Sequence, residues 1–376
     1  MKIKEYNEDS WEDKEIDSQE DNTDNLKGPF DPNNIDVDIY TVNLGYMLDQ
    51  LEYGEIDLQP EFQRASGVWN DVKKSRLIES ILLGLPLPSF YFSEDVTSNK
   101  LIIIDGLQRL CSLKDFCIDK TLVLKDLQFL TNLNGMSYYE LDRTQIRRIK
   151  SLKITINTLR KRTPTNVKYV IFQRVNTAGE PLNKQEVRNA LYQGKATQLL
   201  NTMATSSSFI RVTLGKVPTK RMADRDLVNR YLAFYLKKDE YDGALDQFMG
   251  ETTLGYVNKL NDNQIQTIYH TFEKTMDLCW ELFGDKAFRR PNPKKEGSYL
   301  KLNKAIFEVI SVSLALLNND EQATLIKNKS SFVTELDSLL RDELFIQSIT
   351  SGTAKVPQVE YRFNKIDSLI NTILKQ

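Results

Sequence analysis

The chain has 376 residues, enough for two domains or three, and its 40% hydrophobic and 27% charged residues are an ordinary globular balance. Its three cysteines, Cys111, Cys117 and Cys279, are odd in number and lack CxxC spacing, and its one histidine is His270. Those counts argue against a disulfide-stapled scaffold, a structural zinc knuckle and any multi-histidine metal site.

The formal net charge of −2 conceals an asymmetry. Residues 1–40 carry thirteen acids against four lysines, which leaves the rest of the chain net positive. With few large apolar residues, 1–35 is expected to be a disordered acidic tail. From Asp36 a short strand or loop leads into a helix ending near Gly54. A loop with Pro60 and Gly67 follows, then a helix over Asp71–Leu83, closed by Gly84 and Pro86. SFYFS (89–93) and LIIID (101–105) read as strands, and a helix opens after Gly106. Between Arg143 and Asn176 stand ten basic residues and no acid, a composition suited to a phosphate backbone, or to a solvated helix face followed by a strand. Within it, 151–159 alternates as a half-buried strand should, and a helix capped by Thr165 or Asn166 follows. Beyond residue 185 helices are expected over 186–204, 223–238, 262–283, 300–318, 320–340 and 358–375. His270 falls in one of these, on a packed or surface position. Trp280 and Phe283 fall in the same one, as core residues or a dimer face.

The informative unit is the strand ending Asp105-Gly106-Leu107-Gln108-Arg109. Glycine allows a tight turn. The helix that follows presents free N–H groups and a positive dipole end. Arg109 can fork a phosphate, Gln108 can hydrogen-bond a phosphate, sugar or water, and Asp105 can bind a divalent cation such as Mg²⁺ on phosphate oxygens. Gln63 and Arg64 lie in the upstream loop and Arg76 on the intervening helix; each is a candidate phosphate contact or a solvated side chain.

PEFQR, VWN, KKSRLIESILLGLPLPSFYF and LIIIDGLQRLCSLKDF together resemble the N-terminal domain of GmrSD-type restriction endonucleases, a ParB/sulfiredoxin-like family with a DGQQR motif. IFQRVNTAGEPLNKQEVRNALY (171–192), RMADRDLVNRYLAFY (221–235), DKAFRR (285–290), LNKAIFEVI (302–310) and SITSGTAKV with YRF (348–363) extend the resemblance to the end of the chain. The pattern of elements gives an α+β chain, a mixed α/β domain over 36–185 and then an all-helical domain over 186–376, and the resemblance implies that the first is ParB-like and binds a nucleotide. It also implies restriction-type defence, with a nucleoside triphosphate and Mg²⁺ at the Asp105–Arg109 turn; the start MKIKEYNEDSWEDKE has no apolar signal-peptide core, so the cytoplasm is the expected compartment. Gln63, Arg64, Asp105, Gly106, Gln108 and Arg109 would surround the phosphates, and Arg174, Asn176, Gly179 and Glu186 would form a second cluster nearby; Asn176 and Gly179 read equally as turn residues and Glu186 as a helix-start acid facing the dipole.

Two departures stand out. Leu107 replaces the first Gln of the motif, and no His-based nuclease module is present. The expected function is therefore a triphosphatase using Asp105, Gln108, Arg109 and Arg64, coupled to DNA held by 143–176 or to a partner nuclease. The alternatives are a non-hydrolysing nucleotide or DNA sensor, and a metal-dependent nuclease. A homodimer is an open possibility, and no membrane partner is expected.

Overall fold

The computed structural model describes residues 35–58, 69–94, 100–175 and 183–376, without the side chains of 165, 166 and 173. The acidic tail through residue 34, and Gln63, Arg64, Asn176 and Gly179, lie outside the described residues. The chain divides into two compact units between Leu191 and Tyr192. The helix expected to open the helical domain belongs to the first unit, where Val187 and Ala190 are buried against Leu159, Tyr169 and Phe172. Among the described residues no helix is long and apolar enough to cross a membrane.

The first unit is built on a five-stranded mixed sheet in the order β1-β5-β3-β4-β2. Its strands are β1 (Val37–Asn43), β2 (Ile56–Asp57), β3 (Phe90–Glu94), β4 (Leu101–Asp105) and β5 (Lys153–Leu159). β5 pairs antiparallel with β1 and parallel with β3, whose other neighbour, β4, is antiparallel. The helices are α1 (Leu44–Glu52), α2 (Asp71–Leu82), α3 (Leu107–Leu113), α4 (Arg143–Ser151), α5 (Thr165–Val175) and α6 (Lys184–Leu191).

Side chains alternate across a strand, and the two sets meet different cores. Phe90, Phe92, Ile103, Ile154 and Ile156 join the larger core, which also contains buried residues of α1 to α4. Ile104 and Leu159, with Tyr91 beside them, join a second core with Tyr169 and Phe172 of α5 and Val187 of α6. The expected half-buried β5 is thus covered on both sides, and even Asn157 and Thr158 are buried. The strand starts at Lys153 rather than residue 151 because the last turn of α4 takes Ser151.

Local chemistry sets the helix ends. The Asn70 side chain accepts from the Lys73 N–H at the start of α2, and Asp142 and Gln145 cap each other's backbone at the start of α4. Helix α5 already includes Thr165; the carbonyl before it, on Pro164, accepts from the Lys168 N–H. The cap position is therefore Pro164, not Thr165 or Asn166.

The second unit is mostly helical: α7 (Lys195–Ala204), α8 (Ser207–Thr213), α9 (Ala223–Lys237), α10 (Asp262–Phe283), α11 (Lys304–Ala315), α12 (Asn319–Lys327), α13 (Lys329–Leu339), α14 (Glu343–Thr350) and α15 (Val356–Leu374). The helical character is as expected, with one addition, an antiparallel hairpin that joins β6 (Arg289–Pro291) to β7 (Tyr299–Leu302). The expected helix over 300–318 begins only at Lys304, where the Asn303 side chain caps the N–H groups of Ala305 and Ile306. The helix over 186–204 is interrupted before Gly194, whose φ is 119°, and that over 320–340 breaks at Asn328.

Three widely separated segments meet at one buried ion network. Glu308 of α11 accepts from Arg230 of α9 at 3.0 Å and from Arg362 of α15 at 3.0 and 2.5 Å. All three side chains are 2% exposed or less. Arg362 also donates to the carbonyls of Ser348 and Thr353.

Candidate functional site

Strand β4 ends in Asp105, and Gly106 turns the chain with φ 104° and ψ 8° into α3. A β-carbon on Gly106 would lie 2.5 Å from Cδ1 of Phe90 and 3.2 Å from Nη2 of Arg109, so the turn is closed by ring and guanidinium together. The N–H groups of Leu107, Gln108 and Arg109 occupy the first turn of α3, where helical N–H groups lack intrahelical partners.

Arg109 is 8% exposed. Its guanidinium lies 4.4 Å from the Phe90 ring centre. It donates to the Pro88 carbonyl, to the Ser89 carbonyl at 3.1 Å and to Asp105 Oδ2 at 2.8 Å. The side chain expected to fork a phosphate is therefore occupied holding the GLPLPS segment onto the turn. Burial pulls the Arg109 pKa down, opposed by Asp105. Burial likewise pushes the Asp105 carboxyl up, opposed by the Arg109 charge and the Gly106 N–H. Desolvation thus outweighs the pair's mutual attraction.

Gln108 turns its Oε1 to the N–H of Trp69 at 3.1 Å. Trp69 is the first described residue after Gln63 and Arg64 in the sequence, and Gln108 fixes its backbone. Leu107, the departure from the family motif, packs half-buried against the larger core. Its hydrocarbon suits that place.

The other candidates lie in separate surroundings. Arg76 Nη1 is 3.7 Å from Glu79 Oε2 and is buried with no hydrogen-bond partner among the described residues. Glu79 is itself buried and accepts the N–H groups of Gln128, Phe129 and Leu130. Burial raises its pKa, but those N–H groups and Arg76 outweigh it and leave the carboxyl lowered. Arg174 is exposed at the end of α5. Glu186 is a reciprocal cap of α6, accepting from the Asn183 N–H at 2.7 Å while Asn183 Oδ1 accepts from the Glu186 N–H at 2.8 Å. The turn therefore brings together Asp105, Gly106, Gln108 and Arg109, whereas Arg76 lies beside Glu79 and Glu186 caps its own helix with Asn183.

Sequence reasoning missed Trp69, Pro88, Ser89 and Phe90 as partners of the turn. One signal was present: Pro86 and Pro88 offer carbonyls but no N–H, so a compact GLPLPS segment needs outside donors.

The remaining nucleophile and metal candidates have defined positions. Burial pushes the Cys111 and Cys117 thiols up to about 12, which leaves them protonated near neutrality. The His270 side chain is 65% exposed on α10. Among the described residues no three His, Cys, Asp or Glu side chains group to hold a metal ion. Asp105, 28% exposed and with one oxygen on Arg109, offers a single carboxylate. That suits Mg²⁺ delivered with a polyphosphate, which keeps waters and phosphate oxygens as most of its ligands.

The acid-free run divides in two. Arg160 pairs with Asp38 and Glu94, Arg162 lies 3.9 Å from Asp36, and Lys168 is buried. Arg143, Arg147 and Lys150 share one face of α4 at i, i+4 and i+7, are exposed, and have no acidic partner among the described residues.

Residues 44–193 match the family described as GmrSD restriction endonuclease, N-terminal domain. No curated protein and no solved structure matches the chain. Residues 44–193 are therefore a GmrSD-type N-terminal domain, which suggests a restriction- or defence-related function.

Proposed function

We propose that this GmrSD-type domain binds a nucleoside triphosphate with Mg²⁺ at the Asp105–Arg109 turn and hydrolyses it, and that hydrolysis is coupled to DNA recognition or to a partner nuclease. The observation that carries the reading is the bond from the Trp69 N–H to Gln108, which holds Trp69, five residues after Arg64 in the sequence, at a helix start that follows the Asp105 carboxylate. The N–H groups of α3 and Arg64 would meet the phosphates, and Asp105 would hold Mg²⁺, which supplies charge neutralisation on the phosphate oxygens when bound. Arg109 positions the turn and does not touch the phosphates. Catalysis rests on placement and charge stabilisation.

The test is phosphate release from a panel of triphosphates with Mg²⁺ by the full chain. Arg64→Ala is expected to lower turnover about 100-fold, the usual loss for one transition-state contact, with an unchanged melting temperature. Asp105→Asn, which keeps an acceptor for Arg109, is expected to weaken the Mg²⁺ dependence. Nucleotide binding without turnover in the wild type would favour the sensor reading. No binding at all would end both.

Contact with DNA is proposed for the exposed stripe of α4. Changing Arg143, Arg147 and Lys150 together to Glu is expected to weaken duplex binding and to reduce the slope of log affinity against log salt by about 2–3. An unchanged slope would assign DNA contact elsewhere.

A further inference from the structure

The second unit contains a cavity of about 660 Å³ between the end of α10, the β6–β7 hairpin and α13. That volume lies within the range of small-molecule sites. Its floor is the buried side chains of Phe288, Ile306, Ile310 and Leu336. Trp280 and Phe283, which the sequence left between core and dimer face, are half-buried and line it.

Phe288 has φ 62°, a left-handed backbone that a bulky side chain rarely adopts. Its ring meets that of Phe307 edge-on with centres 4.7 Å apart. Such strain persists where the surroundings over-determine it, and it clusters at ligand sites. The next residue, Arg289, lines the same cavity and donates to the carbonyls of Asp285 and Ala287. The DKAFRR segment, which the turn in the first unit does not use, is thus one wall of this cavity.

The polar lining is unequal in charge. Lys286, Arg289 and Lys329 are cations, and Asp337 is the single acid. Asp337 accepts from the Tyr299 hydroxyl at 3.1 Å. Lys329 donates to the Glu281 carbonyl, which positions the ammonium without neutralising it. Lys286 sits 5.1 Å from the Tyr299 ring centre. Aromatic walls, an aliphatic floor and an excess of positive charge at the mouth complement one kind of ligand.

We propose that this cavity binds a small planar anion, an aromatic or heteroaromatic ring carrying a phosphate or carboxylate. The ring lies against Trp280 and Phe283, and the anionic group meets Lys286 and Lys329. The inference is independent of the turn in the first unit. Two sources share this chemistry, a mononucleotide and a non-nucleotide aromatic acid.

The test uses the full chain and the fluorescent aromatic sulfonate 8-anilinonaphthalene-1-sulfonate. Saturable binding of one equivalent is expected. Lys286→Glu combined with Lys329→Glu, both exposed at the mouth, should weaken it at least tenfold, and Val333→Trp should block it by filling the space. Displacement by nucleoside monophosphates would identify the nucleotide source, and displacement only by indole carboxylates the other. Equal binding by the wild type and the charge-reversed variant, with matching circular dichroism, would overturn the proposal whether or not Val333→Trp folds. Failure of both competitor classes would overturn it as well.

Discussion

Glu308→Ala is expected to destabilise the second unit by about 3–5 kcal/mol, the range for removing one partner of a buried charge network. The substitution leaves the guanidinium groups of Arg230 and Arg362 buried without the carboxylate that pairs with both. At about 2–4 °C per kcal/mol for a unit of this size, the transition should fall by roughly 6–20 °C. Calorimetry is the appropriate measurement because the two units need not melt together. Glu308→Gln keeps the shape and one acceptor but loses the charge, and should fall nearly as far. Replacing Arg230, Glu308 and Arg362 together by Met, Leu and Met should recover part of the loss, since no charge is then stranded. Recovery stays incomplete because Arg362 also serves the Ser348 and Thr353 carbonyls. A loss below about 1 kcal/mol for Glu308→Ala would mean that water replaces the carboxylate, and the network would be no anchor.

Gly106→Ala is the second large effect. Two costs combine: a left-handed φ of 104° for a residue with a side chain, and a β-carbon 2.5 and 2.9 Å from two atoms of the Phe90 ring. Backbone strain and overpacking each cost about 1–3 kcal/mol. Phe90 is fully buried in the middle of the sheet and cannot yield cheaply. Its displacement would also disturb Arg109, so the proposed phosphate release should disappear with the stability. Gly84→Ala separates the two costs. That residue has φ 77° and nothing within 4 Å of an added β-carbon, so it should lose only the backbone part, about 1 kcal/mol. Equal losses in urea denaturation of the two variants would remove the packing argument.

The contrast between these sites shows what a single sequence makes readable. The strand–Gly106–helix turn was legible because its signals are local: a β-branched run, a glycine and a helical period. The role of Arg109 was not, because its partners Pro88 and Ser89 come from a segment twenty residues away and are backbone carbonyls with no side-chain signature. The same holds for Glu79, whose three N–H donors lie about fifty residues along the chain. In the second unit, α10 was readable over its full length from its apolar period. The β6–β7 hairpin was hidden because its strands are short and rich in Arg, Lys and Pro rather than in β-branched residues. The buried ion network joins segments that share no local pattern, and only the fold brings Arg230, Glu308 and Arg362 together.

The strand order carries a consequence for synthesis. β5 lies between β1 and β3, yet it is the last of the five strands to be made. Val37 pairs with Leu159, so the first strand to leave the ribosome waits for the last, and β3 waits with one edge open. Contacts that span so much chain form late and slowly. The sheet of the first unit therefore closes only once Leu159 has emerged, and until then the open edges of β1 and β3 are exposed to wrong partners.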